Sequence, residues 1–261
     1  MASLADKYPR IADMKAKALK RMPNFSAEYL LSGTGYDRAM EHNQNVLKNI
    51  FLTPRYVKGT VKADLRTKIF NRTYNAPFGI APIGMTSLIW PGAEIDLAKL
   101  ANNENIPYTL STVACASIEK VAPHLDGRGW FQLYPPKDKN IRDDLLKRAS
   151  DSGYEVLVIT SDIPASSRRE RLRMAGVSVP PKINFRTIFQ AAISPSWSIG
   201  ILRHGMPKFG TMNKYQNSQG NKKVKKGYAG SQMDRYLDWK YLEEVRNLWK
   251  GPIVLKGLMD S

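Results

Sequence analysis

Apolar positions along this chain follow two different rhythms. Up to about residue 75 they recur at helical spacing or alternate with polar residues; from Ala76 on they form short continuous runs separated by amphipathic stretches. In the first regime, residues 11–19 carry a helical pattern that Pro23 breaks. Ser26 is a candidate cap for a second helix bearing Tyr29, Leu30 and Leu31 and stopping before Gly33. Residues 37–50 form a third amphipathic run. Polar and apolar residues alternate over 55–70, which predicts an extended flap or hairpin.

In the second regime, the runs 78–82, 107–111, 130–134, 156–162 and 252–257 predict five strands. Helices are predicted over 93–104, 117–124, 141–152 and 241–249. Strands that are apolar throughout and alternate with helices imply a parallel sheet buried on both faces, an α/β fold. Each strand ends in polar or special residues: Pro82, Ile83 and Gly84; Ser111 and Thr112; Gln132 and Tyr134; Thr160 and Asp162; Lys256. In a barrel such ends gather on the C-terminal face, where active sites lie. A doubly wound sheet is the rival, but no G-x-G-x-x-G turn follows the first strand. The expected class is a (β/α)8 barrel with an N-terminal helical segment. Residues 1–75 make up the helices and flap, and 76–261 the barrel portion, interrupted by an insertion over 165–233.

That insertion, about 70 residues, is too long for an ordinary strand-to-helix connection. It also holds much of the charge. Residues 168–230 contain thirteen Lys or Arg against one acid, Glu170, in a chain of net charge +17. Its middle, 185–202, interleaves Phe185, Phe189, Trp197 and aliphatic residues with basic flanks, too short and interrupted to span a bilayer. An interfacial segment on an anionic membrane surface, through residues 182–226, is the expectation. The part from Asn213 to Gly230 is rich in Gly, Asn and Lys and is expected to be mobile. No nucleic-acid-binding motif accompanies the basic run, so no nucleic-acid partner is expected. A single cysteine, Cys115, excludes a disulfide framework and fits a reducing compartment. The first residues lack the apolar core of a secretory signal.

Taken singly, these residues have plain readings. Tyr29 and Tyr134 suit half-buried tyrosines, Asp162 a turn cap, Gln132 a partner for backbone, and Cys115 a small core residue. His124 suits a helix C-terminus. Lys256 closing an apolar strand is harder to explain, because lysine is rarely buried without a partner. No metal cluster is suggested by spacing.

In order along the chain stand Tyr29-Leu30-Leu31-Ser32-Gly33, Ile80-Ala81-Pro82-Ile83-Gly84-Met85, Thr109-Leu110-Ser111-Thr112, Phe131-Gln132-Leu133-Tyr134, Thr160-Ser161-Asp162 with Arg168-Arg169-Glu170, and Ile253-Val254-Leu255-Lys256-Gly257. In this order and spacing the motifs resemble the FMN-dependent 2-hydroxy-acid dehydrogenases and oxidases, the family of glycolate oxidase, L-lactate dehydrogenase and mandelate dehydrogenase. The resemblance implies FMN as cofactor and oxidation of an (S)-2-hydroxy acid to the 2-keto acid. It implies that Ala81, Pro82, Ile83 and Gly84 pack on the flavin, that Ser111, Gln132 and Thr160 hydrogen-bond its ring, and that Lys256 lies near its N1 and O2. Tyr29 and Arg169 would hold the substrate carboxylate and Tyr134 the hydroxyl or carboxylate. Asp162 would partner a catalytic histidine. Val113 stands where several oxidases carry a bulky aromatic, a position that influences substrate size.

The histidine itself, with a second arginine and the phosphate contacts, belongs in the family to later strands. His42, His124 and His204 match no family position. The chain reaches only a fifth strand where a parallel barrel has eight, so a C-terminally truncated barrel is expected, inactive in isolation. The alternatives are a non-catalytic fragment and a basic membrane-surface-binding protein. The long basic loop implies electrons passed to a membrane acceptor, such as a quinone, and a cytoplasmic protein peripheral on the inner face of the cell membrane. Family analogy implies a homo-tetramer.

Overall fold

Strand parity explains the sheet. In the computed structural model, which describes residues 3–60, 62–163, 169–177, 184–218 and 237–259, four strands pair in parallel in the order β3 (Tyr108–Ser111), β4 (Gly129–Leu133), β5 (Val156–Thr160) and β6 (Ile253–Lys256). The register sets Ser111 beside Gln132, Gln132 beside Val158, and Thr160 beside Lys256. Alternate residues face opposite ways. Leu110, Phe131, Leu133, Leu157 and Ile159 turn outward under the helices and are fully buried. Thr109, Ser111, Gln132, Val158 and Thr160 share the other face and are also buried. The fold is of the (β/α)8-barrel class, and these strands form an arc of it.

The helices follow the amphipathic stretches. Ala93–Glu104 and Lys139–Asp151 pack outside β3 and β4, and Trp239–Leu248 leads into β6. The last two are capped by Asp138 and Asp238, whose carboxylates accept the amides of Asn140 and Tyr241. Ser117 caps Ile118–Val121, which runs on into the single turn Ala122–His124.

Several expectations need correction. The strand expected at 78–82 is a single parallel bridge between Ile80 and Tyr108, held by Ile80 N–H to Pro107 O and Thr109 N–H to Ile80 O. Gly79 and Pro82 in that run, with Pro77 just before it, limit its ladder. The hairpin lies later than 55–70: β1 (Thr67–Ile69) pairs antiparallel with β2 (Arg72–Tyr74), and among the described residues 50–66 there is no regular element. Asn71 with Phe70 at φ 53° makes the tight turn. This hairpin covers the N-terminal ends of the strands, through an Arg72–Glu155 ion pair and a Phe70–Trp130 ring contact.

Ser26 is not a cap either. The helix Asn24–Leu31 begins two residues earlier, and the Ser26 hydroxyl donates to Leu88 O at 2.7 Å. The insertion is not a bare loop: it contains the helices Glu170–Met174, Phe185–Ala192, Pro195–His204 and Asn213–Ser218. Trp197 is buried against Phe25, Met85 and Leu88, and Met212 and Tyr215 join the main core, so the segment is fastened to the barrel. Of the basic segment, Arg168, Lys182, Lys222, Lys223, Lys225 and Lys226 lie outside the described residues, as does the stretch 219–230 expected to be mobile.

Candidate active site

At the C-terminal ends of the strands a row of buried polar side chains crosses the sheet. Ser111 Oγ donates to Gln132 Oε1 at 2.9 Å, and Gln132 Nε2 donates to Thr160 Oγ1 at 2.8 Å. All three side chains are buried. Buried polar groups are retained only when paired, and this row satisfies its own members while leaving further lone pairs and protons along one line. One step up, the Thr112 hydroxyl donates to Gln132 O at 2.6 Å and accepts Tyr134 N–H at 3.0 Å, tying the ends of β3 and β4 together.

The next strand ends carry charge. Lys256 Nζ lies 3.1 Å from Asp162 Oδ2, both about two-fifths exposed. Ser161 fixes this lysine from behind: its N–H and its Oγ each reach Lys256 O at 2.9 Å. Gly257 follows at φ 103°, where a Cβ would stand 2.4 Å from Asp162 Cβ, so only glycine permits the turn. Asp162 therefore pairs with lysine. None of the three histidines is its partner: His42 is exposed on Arg38–Lys48, His124 ends the turn Ala122–His124, and His204 packs on Gly92.

Beside the Gly84 turn stands the helix Asn24–Leu31. Tyr29 OH donates to Gly84 O at 2.9 Å, and burial pushes its phenol up to about 12, with the Arg169 guanidinium opposing. Tyr134 is near enough to act on the same phenol, and its own pKa is raised, first by burial and then by Asp162. Both phenols stay protonated donors near neutrality. Arg169 Nη2 donates to Tyr29 O at 2.9 Å and to Ser32 O at 2.7 Å, with the guanidinium 5.5 Å from the Tyr29 ring centre. The residue sits at φ 43°, a left-handed conformation that such bonds must hold in place.

The turn after Ile80 completes the wall. Met85 N–H donates to Val113 O at 2.9 Å, and a Cβ on Gly84 would meet Val113 Cγ2 at 2.6 Å, so any larger residue would displace Val113 where the two turns touch. Tyr29, Gly84, Val113, Tyr134, Arg169, Asp162 and Lys256 thus surround the strand ends; Ala81, Pro82 and Ile83 lie on the approach to Gly84. Cys115 is unsuited to nucleophilic work, because burial pushes its thiol up to about 12.

Sequence reasoning missed Glu94. This fully buried carboxylate accepts Ser87 N–H at 3.1 Å, Cys115 N–H at 2.9 Å and the Ser87 hydroxyl, stapling the turn after Ile80 to the turn after β3. Its only sequence signal is an acid in the first turn of a helix opened by Gly92. A separate cavity of about 300 Å³ lies at the opposite ends of the strands, beside Phe70, Tyr74, Tyr154 and Trp249, away from this chemistry.

The polar row fits a planar heterocycle laid across the strand ends: acceptors and donors in line, one cation at its end, and a close-packed backbone turn at Gly84. Among known proteins, the chain is 33% identical over 250 residues to an L-lactate dehydrogenase of Pseudomonas entomophila (strain L48) and 34% over 249 residues to one of Stenotrophomonas maltophilia (strain R551-3). It is covered to 95% in both matches and spans 65% of each relative's length. The solved structure of a monotopic membrane protein, (S)-mandelate dehydrogenase, superposes with a TM-score of 0.86 at 27% identity, over 95% of this chain and 66% of that one. A mandelate oxidase gives 0.75 at 25% identity, over 97% of this chain and 63% of that one. The family described as FMN-dependent dehydrogenase, whose members depend on FMN, matches residues 18–261, and the chain belongs to it.

Proposed function

We propose that the protein oxidises an (S)-2-hydroxy acid, of the lactate or mandelate kind, to the 2-keto acid and passes the electrons to a membrane acceptor. The observation that carries this is the buried Ser111–Gln132–Thr160 row with Lys256 beside Thr160, together with the paired Tyr29 and Arg169 at the Gly84 turn. In this reading Ser111, Gln132 and Thr160 hold the edge of FMN, and the turn 81–84 lies against it. The Lys256 ammonium supplies a cation where negative charge gathers. FMN, when bound, accepts the two electrons that the hydroxy acid loses together with two protons.

The remaining roles follow from donor chemistry. The protonated phenols of Tyr29 and Tyr134 donate to substrate carboxylate or hydroxyl oxygens. Arg169 uses Nη2 on the helix end, and the rest of its fork matches a carboxylate. Asp162 stabilises a cation beside it: Lys256 here, and a protonated histidine when one stands next to it. That histidine, the proton acceptor, is none of the three in these 261 residues, and the chain alone is proposed to turn over no hydroxy acid. Lipid docking is part of the proposal because Phe185, Ile188, Phe189 and Leu202 are exposed on two adjacent helices of the insertion, and Ile193 on the link between them.

The test separates cofactor binding from turnover. FMN fluorescence is titrated with the chain and with Gln132→Leu and Lys256→Met. Saturable quenching that weakens about tenfold in each variant, a loss of about 1.4 kcal/mol, supports the site. Equal quenching by all three proteins sinks it. Flavin-dependent oxidation of lactate or mandelate by the chain alone would overturn the assignment of the base.

A further inference from the structure

The helix that carries Tyr29 has only eight residues and lacks a cap of its own. Its N-cap is Pro23, which offers no side-chain acceptor, and Ser26 is engaged with Leu88. A helix of this length is not stable by itself, and its first amides and last carbonyls need partners. Both ends find them in the insertion after β5. At the start, Phe25 N–H donates to Gln190 Oε1 at 3.1 Å, with both residues buried. At the finish, the carbonyls of Tyr29 and Ser32 accept Arg169 Nη2. Along its side, Phe25 meets Trp197 edge to face at 5.4 Å, and Trp197 Nε1 and Ser26 Oγ share Leu88 O. Phe25 and Tyr29 are four residues apart, hence on one face of the helix. A shift at the Gln190 contact therefore moves the phenol.

We propose that Gln190, together with Arg169, is a positioning residue for Tyr29: the insertion caps this helix at both ends and so sets where the phenol stands against Gly84. The functional weight of this rests on the reading of Tyr29 as a substrate contact; the placement of the helix does not.

Hydrogen exchange read by mass spectrometry on the full chain, together with fluorine NMR of 3-fluorotyrosine-labelled protein, tests it without flavin. The Tyr29 resonance is assigned by its loss in Tyr29→Phe. Gln190→Leu keeps the volume but removes the acceptor, whereas Gln190→Glu keeps an oxygen at the helix start, where negative charge is favoured. Val121→Ala, a core truncation elsewhere, controls for general loosening. The expected result in Gln190→Leu is exchange about tenfold faster over residues 24–31 than in the control, with a displaced Tyr29 resonance and unchanged exchange over β4 and β5. Gln190→Glu should restore both readings. If Gln190→Leu does not fold, Gln190→Asn, which withdraws the oxygen by one methylene, is read in the same way. An unmoved Tyr29 resonance, faster exchange shared by every segment, or failure of Gln190→Glu to restore would each overturn the proposal. FMN titration of the same variants reports separately on the cofactor reading.

Discussion

Glu94 takes no solvent, and among the described residues no lysine or arginine pairs with it. What holds its carboxylate is a set of donors fixed by backbone: Ser87 N–H, Cys115 N–H and the Ser87 hydroxyl, with the N-terminus of Ala93–Glu104 adding its dipole. Gln at this position keeps the shape, and its Oε1 can still accept both amides. Its Nε2, however, forces the Ser87 hydroxyl to turn from donor to acceptor, and the charge-assisted character of all three bonds is lost. We expect Glu94→Gln to lower stability by about 2 kcal/mol, seen as a lower urea midpoint at unchanged slope. A midpoint within error of the parent would mean that the staple is not needed. At this scale the sequence is uneven. Gln132, Thr160 and Lys256 were legible because polar residues at the ends of apolar strands have few other places to go. Glu94 was not, because a first-turn glutamate looks the same whether it faces water or another turn. Gln190 was hidden for a related reason: its partner, Phe25, lies 165 residues away in sequence.

Elements whose pattern repeats were readable to within two residues: Ile11–Leu19, Ala93–Glu104 and the paired strands β3 to β6. Those that depend on distant partners were not. The hairpin was displaced because the alternation over 55–70 has no sheet to join, whereas Arg72 finds Glu155 and Phe70 finds Trp130. The insertion was read as a loop because its helices are short and interrupted by Pro195 and Gly205, and because its anchors are tertiary. The strongest of these is Arg148 on Lys139–Asp151. It donates twice to Glu119, at 2.7 and 3.1 Å, and also reaches Tyr215 OH at 2.9 Å and Thr211 O at 3.3 Å. Arg148→Ala should cost about 2–3 kcal/mol, since it leaves several of these acceptors unpaired. Trypsin should then cut at Lys208 and Lys214 well before it cuts the barrel. Acid should loosen the same arginine from its other side. Arg148 hydrogen bonds hold Glu119, on Ile118–Val121, down to about 2. This pair between two barrel helices is therefore complete above the ordinary carboxylate range near 4.5 and is lost as pH falls towards 2, while the Arg148 bonds to Tyr215 and Thr211 stay. Cleavage at these lysines no earlier than in the parent would show that the insertion is held some other way.

On the scale of the whole molecule, the same two helices face both ways. Their inner side sets Gln190 on Phe25 N–H and Trp197 on Leu88 O, and their outer side presents Phe185, Ile188, Phe189, Ile193 and Leu202 to solvent beside Arg186 and Arg203. No helix among the described residues is long and apolar enough to cross a membrane; in the proposed reading this face meets lipid by lying on it. Such a face binds through apolar area and through attraction between basic residues and anionic headgroups, and only the second part is screened by salt. Replacing Phe185, Phe189 and Leu202 together by serine removes apolar area without touching Gln190, Trp197 or any charge. The triple variant is expected to stop sedimenting with vesicles containing anionic lipid while its melting temperature holds, because the three side chains make little contact with the core. Raising salt to about 0.5 M should weaken binding of the parent but leave a residue of it, the apolar part that screening does not reach. If the triple variant sediments as the parent does, and salt alone releases both, then attraction by the basic residues accounts for the docking and this apolar face takes no part in it.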